Sequence, residues 1–150
     1  MKITLTSNKR QKPDFSKLGF GKYFTDHMLV MTYSDGKWNE MEIMPYSEFK
    51  LEPCTNVLHY GQGIFEGMKA YKNEEGKITM FRAYDNLNRM NKSAERLCMP
   101  TIDVEEVMSG LKELIKIDSD WIPTAKGTAL YIRPTMIAND KMLGVHAAHN

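Results

Sequence analysis

The stretch from Met68 to Pro100, MKAYKNEEGKITMFRAYDNLNRMNKSAERLCMP, changes its period halfway along, and that change decides the fold class. Its first half, MKAYKNEEGKITMFR, sets two extended segments on either side of the turn NEEG and reads as a β-hairpin. In the second half Leu87, Met90, Ala94 and Leu97 recur at helical spacing, with Asp85 near the start and Pro100 past the end, which predicts a helix.

Downstream, Val104, Val107, Met108, Leu111, Leu114 and Ile115 make the apolar face of a second helix, and Asp103 with Glu106 resembles a capping box at its start. WIPTAKG then breaks the helix, and TALYIRP resumes extended structure up to Pro134. Upstream, FTDHMLVMTYSDGKWNEMEIMPY reads as another hairpin about Asp35-Gly36, with Pro45 closing its second strand and EFKLEP as a further short extended piece. Hairpins, helices and a returning strand predict an α+β fold, an antiparallel sheet with helices packed on one side.

The chain of 150 residues has the length of one domain or of one half of a larger protein. Twenty Lys+Arg against 19 Asp+Glu leave a net charge of +1, so no basic field exists to attract nucleic acid or an anionic membrane. Cys54 and Cys98 lack metal-ligand spacing and fit free thiols in a reducing compartment. The N-terminus has no apolar signal-like run and no segment has the length of a bilayer span, so a soluble, cytoplasmic protein is expected. His27, His59, His146 and His149 are scattered without ligand neighbours, which argues against a metal site. The 12 methionines follow no helical stripe and suit gap-filling in the core. No terminal element follows LGVHAAHN, so the expectation is a piece of a larger architecture.

The segment LHYGQGIFEGMKAY, Leu58 to Tyr71, gathers glycines and aromatic rings, but its spacing matches neither the dinucleotide fingerprint nor the Walker loop. Glycines among large rings let backbone pass close to a neighbour or a ligand, which leaves the tyrosines and Phe65 as pocket walls. By periodicity Arg89 falls with Asp85, Lys92 and Arg96 on the polar side of its helix, and the plain reading is a solvated face with an Asp85–Arg89 pair. Strand alternation puts Tyr131 and Arg133 on one face, and a phenol beside a guanidinium suits a carboxylate, although a solvent-facing strand edge has the same pattern.

FGKYFTDHML, LHYGQGIFEGMKAY, MFRAYDNLNRMNKSAERLCMP, DSDWIP and GTALYIRPTMIANDKMLGV together resemble the branched-chain amino acid aminotransferases, within the D-alanine-aminotransferase-like (fold-type IV) pyridoxal phosphate enzymes. The resemblance runs from about Phe20 to Val145, and FEGMKAY and GTALYIRP favour this group over D-amino acid aminotransferases and aminodeoxychorismate lyases. It implies the small N-terminal domain over residues 20–150, with residues 1–19 as an extension. It also implies pyridoxal 5'-phosphate as cofactor and transfer of the amino group of leucine, isoleucine or valine to 2-oxoglutarate, giving glutamate.

By position the resemblance makes Arg89 the arginine that reaches the cofactor phosphate, in place of the surface-pair reading. Phe20, Tyr60 and Phe65 become pocket-wall aromatics, and Tyr131 with Arg133 the polar end that meets the distal carboxylate of glutamate or 2-oxoglutarate. Leu143 and Val145 fall on a loop that closes over a neighbouring subunit's pocket, which implies a homodimer. The lysine that holds the cofactor and shuttles the proton comes from a second domain in this family. No lysine of this chain matches its motif, so the chain alone is expected to be inactive. The competing expectation is a non-catalytic dimerisation or ligand-binding module of the same fold.

Overall fold

In the computed structural model, which describes residues 1–146, the change of period in the quoted stretch falls where the sequence places it. In chain order the elements are β1 (Lys2–Ile3), β2 (His27–Val30), β3 (Tyr33–Ser34), β4 (Lys37–Trp38), β5 (Glu42–Pro45), α1 (Asn56–Tyr60), β6 (Gly63–Phe65), β7 (Met68–Lys72), β8 (Ile78–Met80), α2 (Ala83–Arg96), α3 (Val104–Ile117), β9 (Leu130–Ile132) and β10 (Thr135–Ile137). A single 3-10 turn, Ser119–Trp121, follows α3.

Both hairpins form. β3 and β4 pair across Asp35-Gly36, whose φ values of 53° and 75° are those a tight two-residue turn requires. Outside them β2 pairs with β5, which ends at Pro45. β7 pairs with β8 across NEEG and on its other edge with β9, so the ladder order is β8-β7-β9. The strands do not form one continuous sheet: they divide into short ladders, among them β10 against β6 and a parallel pair of β1 with β5. EFKLEP, expected as extended, forms no strand; its last residues instead lead into α1 through the Thr55 hydroxyl, which donates to Glu52 O at 2.7 Å.

α2 packs Ala83, Leu87, Met90 and Ala94 inward against Met68 and Ala70 of β7, Ile64 of β6 and the Met108, Leu111 and Ile115 face of α3. Six methionines, 41, 68, 90, 99, 108 and 136, are buried, in keeping with a gap-filling role. Asp103 caps α3 by accepting from Glu106 N at 2.9 Å. The helical face of α2 stops one residue sooner than its periodicity predicts. Cys98 takes a left-handed φ of 53° beyond the helix, and Met99 N donates to Ala94 O at 2.9 Å while Cys98 N donates to Glu95 O at 3.3 Å. This Schellman closure turns Leu97 outward and Met99 inward.

A second cluster joins β2 and β5 to α3, where Gly110 lies so close to Met41 that an added Cβ would stand 1.9 Å from its Sδ. Beside it His27, buried, bonds Asp118 through Nδ1 at 2.7 Å and accepts the Thr6 amide on Nε2 at 3.0 Å. Asp26 accepts the Trp121 indole N–H at 2.9 Å and the Arg10 amide at 2.7 Å. These bonds hold the first residues of the chain against the end of α3. No helix among the described residues is long and apolar enough to cross a membrane, and none of their His, Cys, Asp and Glu side chains cluster as metal ligands.

Candidate functional site

The β6–β7 connection, Phe65-Glu66-Gly67, is the centre of the site. Ile64, Glu66 and Met68 point inward and Phe65 outward, as strand alternation requires. Glu66 therefore enters the protein as a carboxylate, 5% exposed, and its oxygens are filled. Arg89 reaches down from α2 and donates Nε to Oε1 and Nη2 to Oε2, each at 2.6 Å. Asn86, one helical turn earlier, donates Nδ2 to Oε2 at 3.1 Å, and the Gly67 amide lies 3.3 Å from the same oxygen. The Arg89 bonds pull the Glu66 carboxyl down from its ordinary 4.5 to about 2; burial opposes them, and Asn86 and the Gly67 amide add to them.

The surface reading of Arg89 as a partner of Asp85 does not hold. Asp85 pairs with Arg82, and the guanidinium of Arg89 is committed on one edge to a buried carboxylate 23 residues away in sequence. The side chain is nonetheless 66% exposed, so its other edge is open to solvent.

Gly67 connects this pair to β9. A Cβ built on Gly67 would lie 2.0 Å from Tyr131 Oη, so the tyrosine ring end occupies the space that any other residue would need. The Tyr131 hydroxyl accepts Arg133 Nη2 at 3.1 Å, which puts the two side chains on one face as the alternation predicts. The Arg133 guanidinium lies over the Phe65 ring, 4.3 Å from its centroid, and Phe20 meets Tyr131 edge to face at 4.8 Å. Phe20, Phe65, Tyr131 and Arg133, well separated in sequence, thus form one contiguous group. It borders a shallow cavity of about 230 Å³ lined by Lys69, Tyr71, Phe81, Asn86 and Tyr131 among others. The Tyr131–Arg133 corner is open rather than buried: Arg133 is exposed and Tyr131 half-buried.

Tyr60 stands at the end of α1 and serves a different contact, accepting the Gly144 amide on its hydroxyl at 2.8 Å. The same loop is held by Asn56, whose amide N–H donates to Asp140 O at 3.0 Å and whose side-chain nitrogen, oriented to satisfy both groups, donates to Asp140 O and Met142 O at 2.9 and 3.0 Å. Leu143 and Val145 project from this anchored loop, 63% and 92% exposed. His149 lies outside the described residues.

Sequence reasoning passed over Glu66, Asn86 and the role of Gly67. The signal for Glu66 was available, since a carboxylate between Ile64 and Met68 in strand alternation must face inward and needs a cationic partner. Arg89, central in the following helix, supplies it.

Comparison with known proteins gives a consistent result. No family model matches the chain. It is 50% identical over 150 residues to branched-chain-amino-acid aminotransferase 2 of Bacillus subtilis, an alignment covering 99% of this chain and 41% of that protein. With the cytosolic branched-chain-amino-acid aminotransferase of Saccharomyces cerevisiae it shares 47% over 146 residues, 97% of this chain and 39% of that protein. Among solved structures, the T.th. branched-chain amino acid aminotransferase complexed with N-(5'-phosphopyridoxyl)-L-glutamate matches 70% of this chain and 33% of its own, at 29% identity and a TM-score of 0.57. The Escherichia coli enzyme matches the fold over 77% of this chain at 23% identity, with a TM-score of 0.54. By sequence and by fold, then, the chain is a relative of the branched-chain aminotransferases that spans about two fifths of the curated relatives' length.

Proposed function

We propose that this chain is the small, N-terminal domain of a branched-chain aminotransferase, with residues 20–150 as the domain and residues 1–19 as an extension strapped to it. In the whole enzyme it would help transfer the amino group of leucine, isoleucine or valine to 2-oxoglutarate in the presence of pyridoxal 5'-phosphate. The observation that carries this reading is the convergence of Phe20, Phe65, Tyr131 and Arg133 on one face beside the Arg89–Glu66 pair.

A transaminase of this kind has to take an apolar side chain and a carboxylate in the same place. Aromatic rings with one cationic corner answer both needs: the rings of Phe20 and Phe65 accept branched aliphatic chains, and Arg133, backed by the Tyr131 hydroxyl, meets the distal carboxylate of 2-oxoglutarate or glutamate. Apolar walls separate substrates differing by one methylene by only about 1–3 kcal/mol, so the preference among the branched-chain acids is small. The donor set also fits the cofactor. Arg89 has N–H groups beyond those engaged by Glu66, on an exposed edge suited to a phosphate dianion. When bound, pyridoxal phosphate supplies the electron sink for breaking the bond to the α-proton; the residues of this chain bind and orient. The lysine that carries the proton belongs to a second domain in this reading, and Leu143 and Val145, on their anchored loop, extend toward the pocket of a second subunit.

The test is transamination of leucine with 2-oxoglutarate by the full-length protein. Arg133→Met is expected to raise the KM for 2-oxoglutarate about 100-fold and to leave that for leucine within about threefold, because only the former needs the cationic corner. Lys69→Ala, which alters the one lysine lining the cavity, is expected to leave measurable turnover. Equal losses for both substrates in Arg133→Met would sink the assignment of the corner. A full-length protein that dimerises but has no turnover would favour the non-catalytic module.

A further inference from the structure

We infer that Glu66 is a positioning residue which decides which edge of Arg89 is offered to a phosphate group, and that Asn86 fixes Glu66 for that purpose. The inference rests on the reading of Arg89 as the phosphate ligand and goes beyond it by assigning the residues that orient it.

A guanidinium has five N–H donors on three edges. The carboxylate of Glu66 takes the edge made by Nε and Nη2, with both bonds at 2.6 Å. What remains is the second N–H of Nη2 and both of Nη1, a fork facing away from the carboxylate, and it has no other partner among the described residues. That fork matches the oxygens of a phosphate. The side chain carrying it is 66% exposed, so without an anchor it would sweep through many rotamers in water. Its anchor, by contrast, is rigid. Glu66 is buried, its backbone amide donates to Pro134 O at 2.9 Å, and Asn86 bridges it to the Gly67 carbonyl by donating to Glu66 Oε2 and Gly67 O, each at 3.1 Å. A flexible cation on the surface is thereby tied to a fixed point in the core.

Two effects of Glu66 on an incoming dianion oppose each other. Its negative charge lowers the attraction, while its hold on Arg89 removes the ordering cost of binding. The guanidinium is open to water, so the charge effect is screened, whereas the geometric effect is not. The anchor should therefore win, and Glu66→Gln should weaken phosphate binding even though it leaves Arg89 with an uncompensated charge.

The experiment titrates the full chain with pyridoxal 5'-phosphate and, separately, with pyridoxal, which lacks the phosphate. It follows the Arg89 side-chain Nε–H resonance and the backbone amides by ¹⁵N NMR. The readout is the ratio of the two dissociation constants. The wild-type chain is expected to prefer the phosphate form, with the preference falling about tenfold in Glu66→Gln and by a smaller factor in Asn86→Ala, which leaves both charges in place. Glu66→Asp should recover part of it. The backbone spectrum shows whether each variant is folded, and Asn86→Ala carries the test if Glu66→Gln is not. If Arg89→Lys abolishes the preference but Glu66→Gln and Asn86→Ala preserve or increase it, the positioning role is wrong and the phosphate reading stands. If Arg89→Lys also leaves the preference unchanged, or the wild-type chain has none, the phosphate reading itself fails and the positioning role falls with it.

Discussion

A carboxylate on the inward side of a strand, as at Glu66 between Ile64 and Met68, must either be neutralised or be paired. Here it is paired, and the pairing predicts how stability changes with acid. The folded-state value, held at about 2, lies below the ordinary 4.5, so the contribution of the pair is complete above the ordinary value and is lost as the pH falls toward 2. Its size is about 2 kcal/mol, less than the full shift implies, because the Arg89 side of the pair is solvated. Urea unfolding of wild-type and Glu66→Gln chains should therefore differ by a constant amount above about pH 5, by less as the pH falls, and converge only below about pH 2. A difference that stays constant down to about pH 2 would mean that packing, not charge pairing, accounts for the effect. This pair also marks how far single residues could be read from sequence. Arg89 sat on the polar side of a helical wheel, where a nearby Asp85 offered a cheap local partner, and periodicity carries no information about a carboxylate 23 residues away.

At the scale of elements, local signals predicted well wherever an element was long enough to have a period or a cap. α3 begins where Asp103 accepts from Glu106 N, and both hairpins turn at the dipeptide or tetrapeptide expected. The elements that escaped notice are α1, β1, β6 and β10, which run for 5, 2, 3 and 3 residues and exist because of tertiary partners. β6, for example, is held by its register with β10, Ile64 opposite Met136. The close approach of β6–β7 to β9 is likewise tertiary, and it gives Gly67 a testable role. Gly67→Ala has to displace the Tyr131 ring end, at a cost of about 1–3 kcal/mol, or a fall in Tm of about 3–10 °C. Removing the ring by Tyr131→Ala should relieve most of that cost, so the two substitutions should be strongly non-additive in a double-mutant cycle read by thermal unfolding. Additive effects would show that the strain of Gly67→Ala is absorbed elsewhere.

Over the whole molecule, three of the four most exposed phenylalanines lie where they predict association. Phe20, Phe65 and Phe81 are 74%, 63% and 78% exposed. They are not scattered: Phe20 touches Tyr131, Phe65 lies under Arg133, which bonds Tyr131, and Phe81 borders the cavity that Tyr131 also lines. Isolated surface phenylalanines are common, but a contiguous set around a depression marks a surface that binds something. Each ring withdrawn from water contributes about 2 kcal/mol, and a net charge of +1 gives little repulsion to oppose contact between copies. Alone in solution, the chain is expected to self-associate reversibly through this face. Its apparent mass by light scattering should rise with concentration and rise further with added salt, as apolar contacts strengthen and residual repulsion is screened. Phe20→Ser combined with Phe81→Ser should return the chain to a monomer without lowering its Tm, because neither ring is part of the core. A wild-type chain that stays monomeric at high concentration would mean that the neighbouring Arg133 and Lys69 keep this face hydrated enough to stay free, and the rings would then have to be explained by the substrate alone.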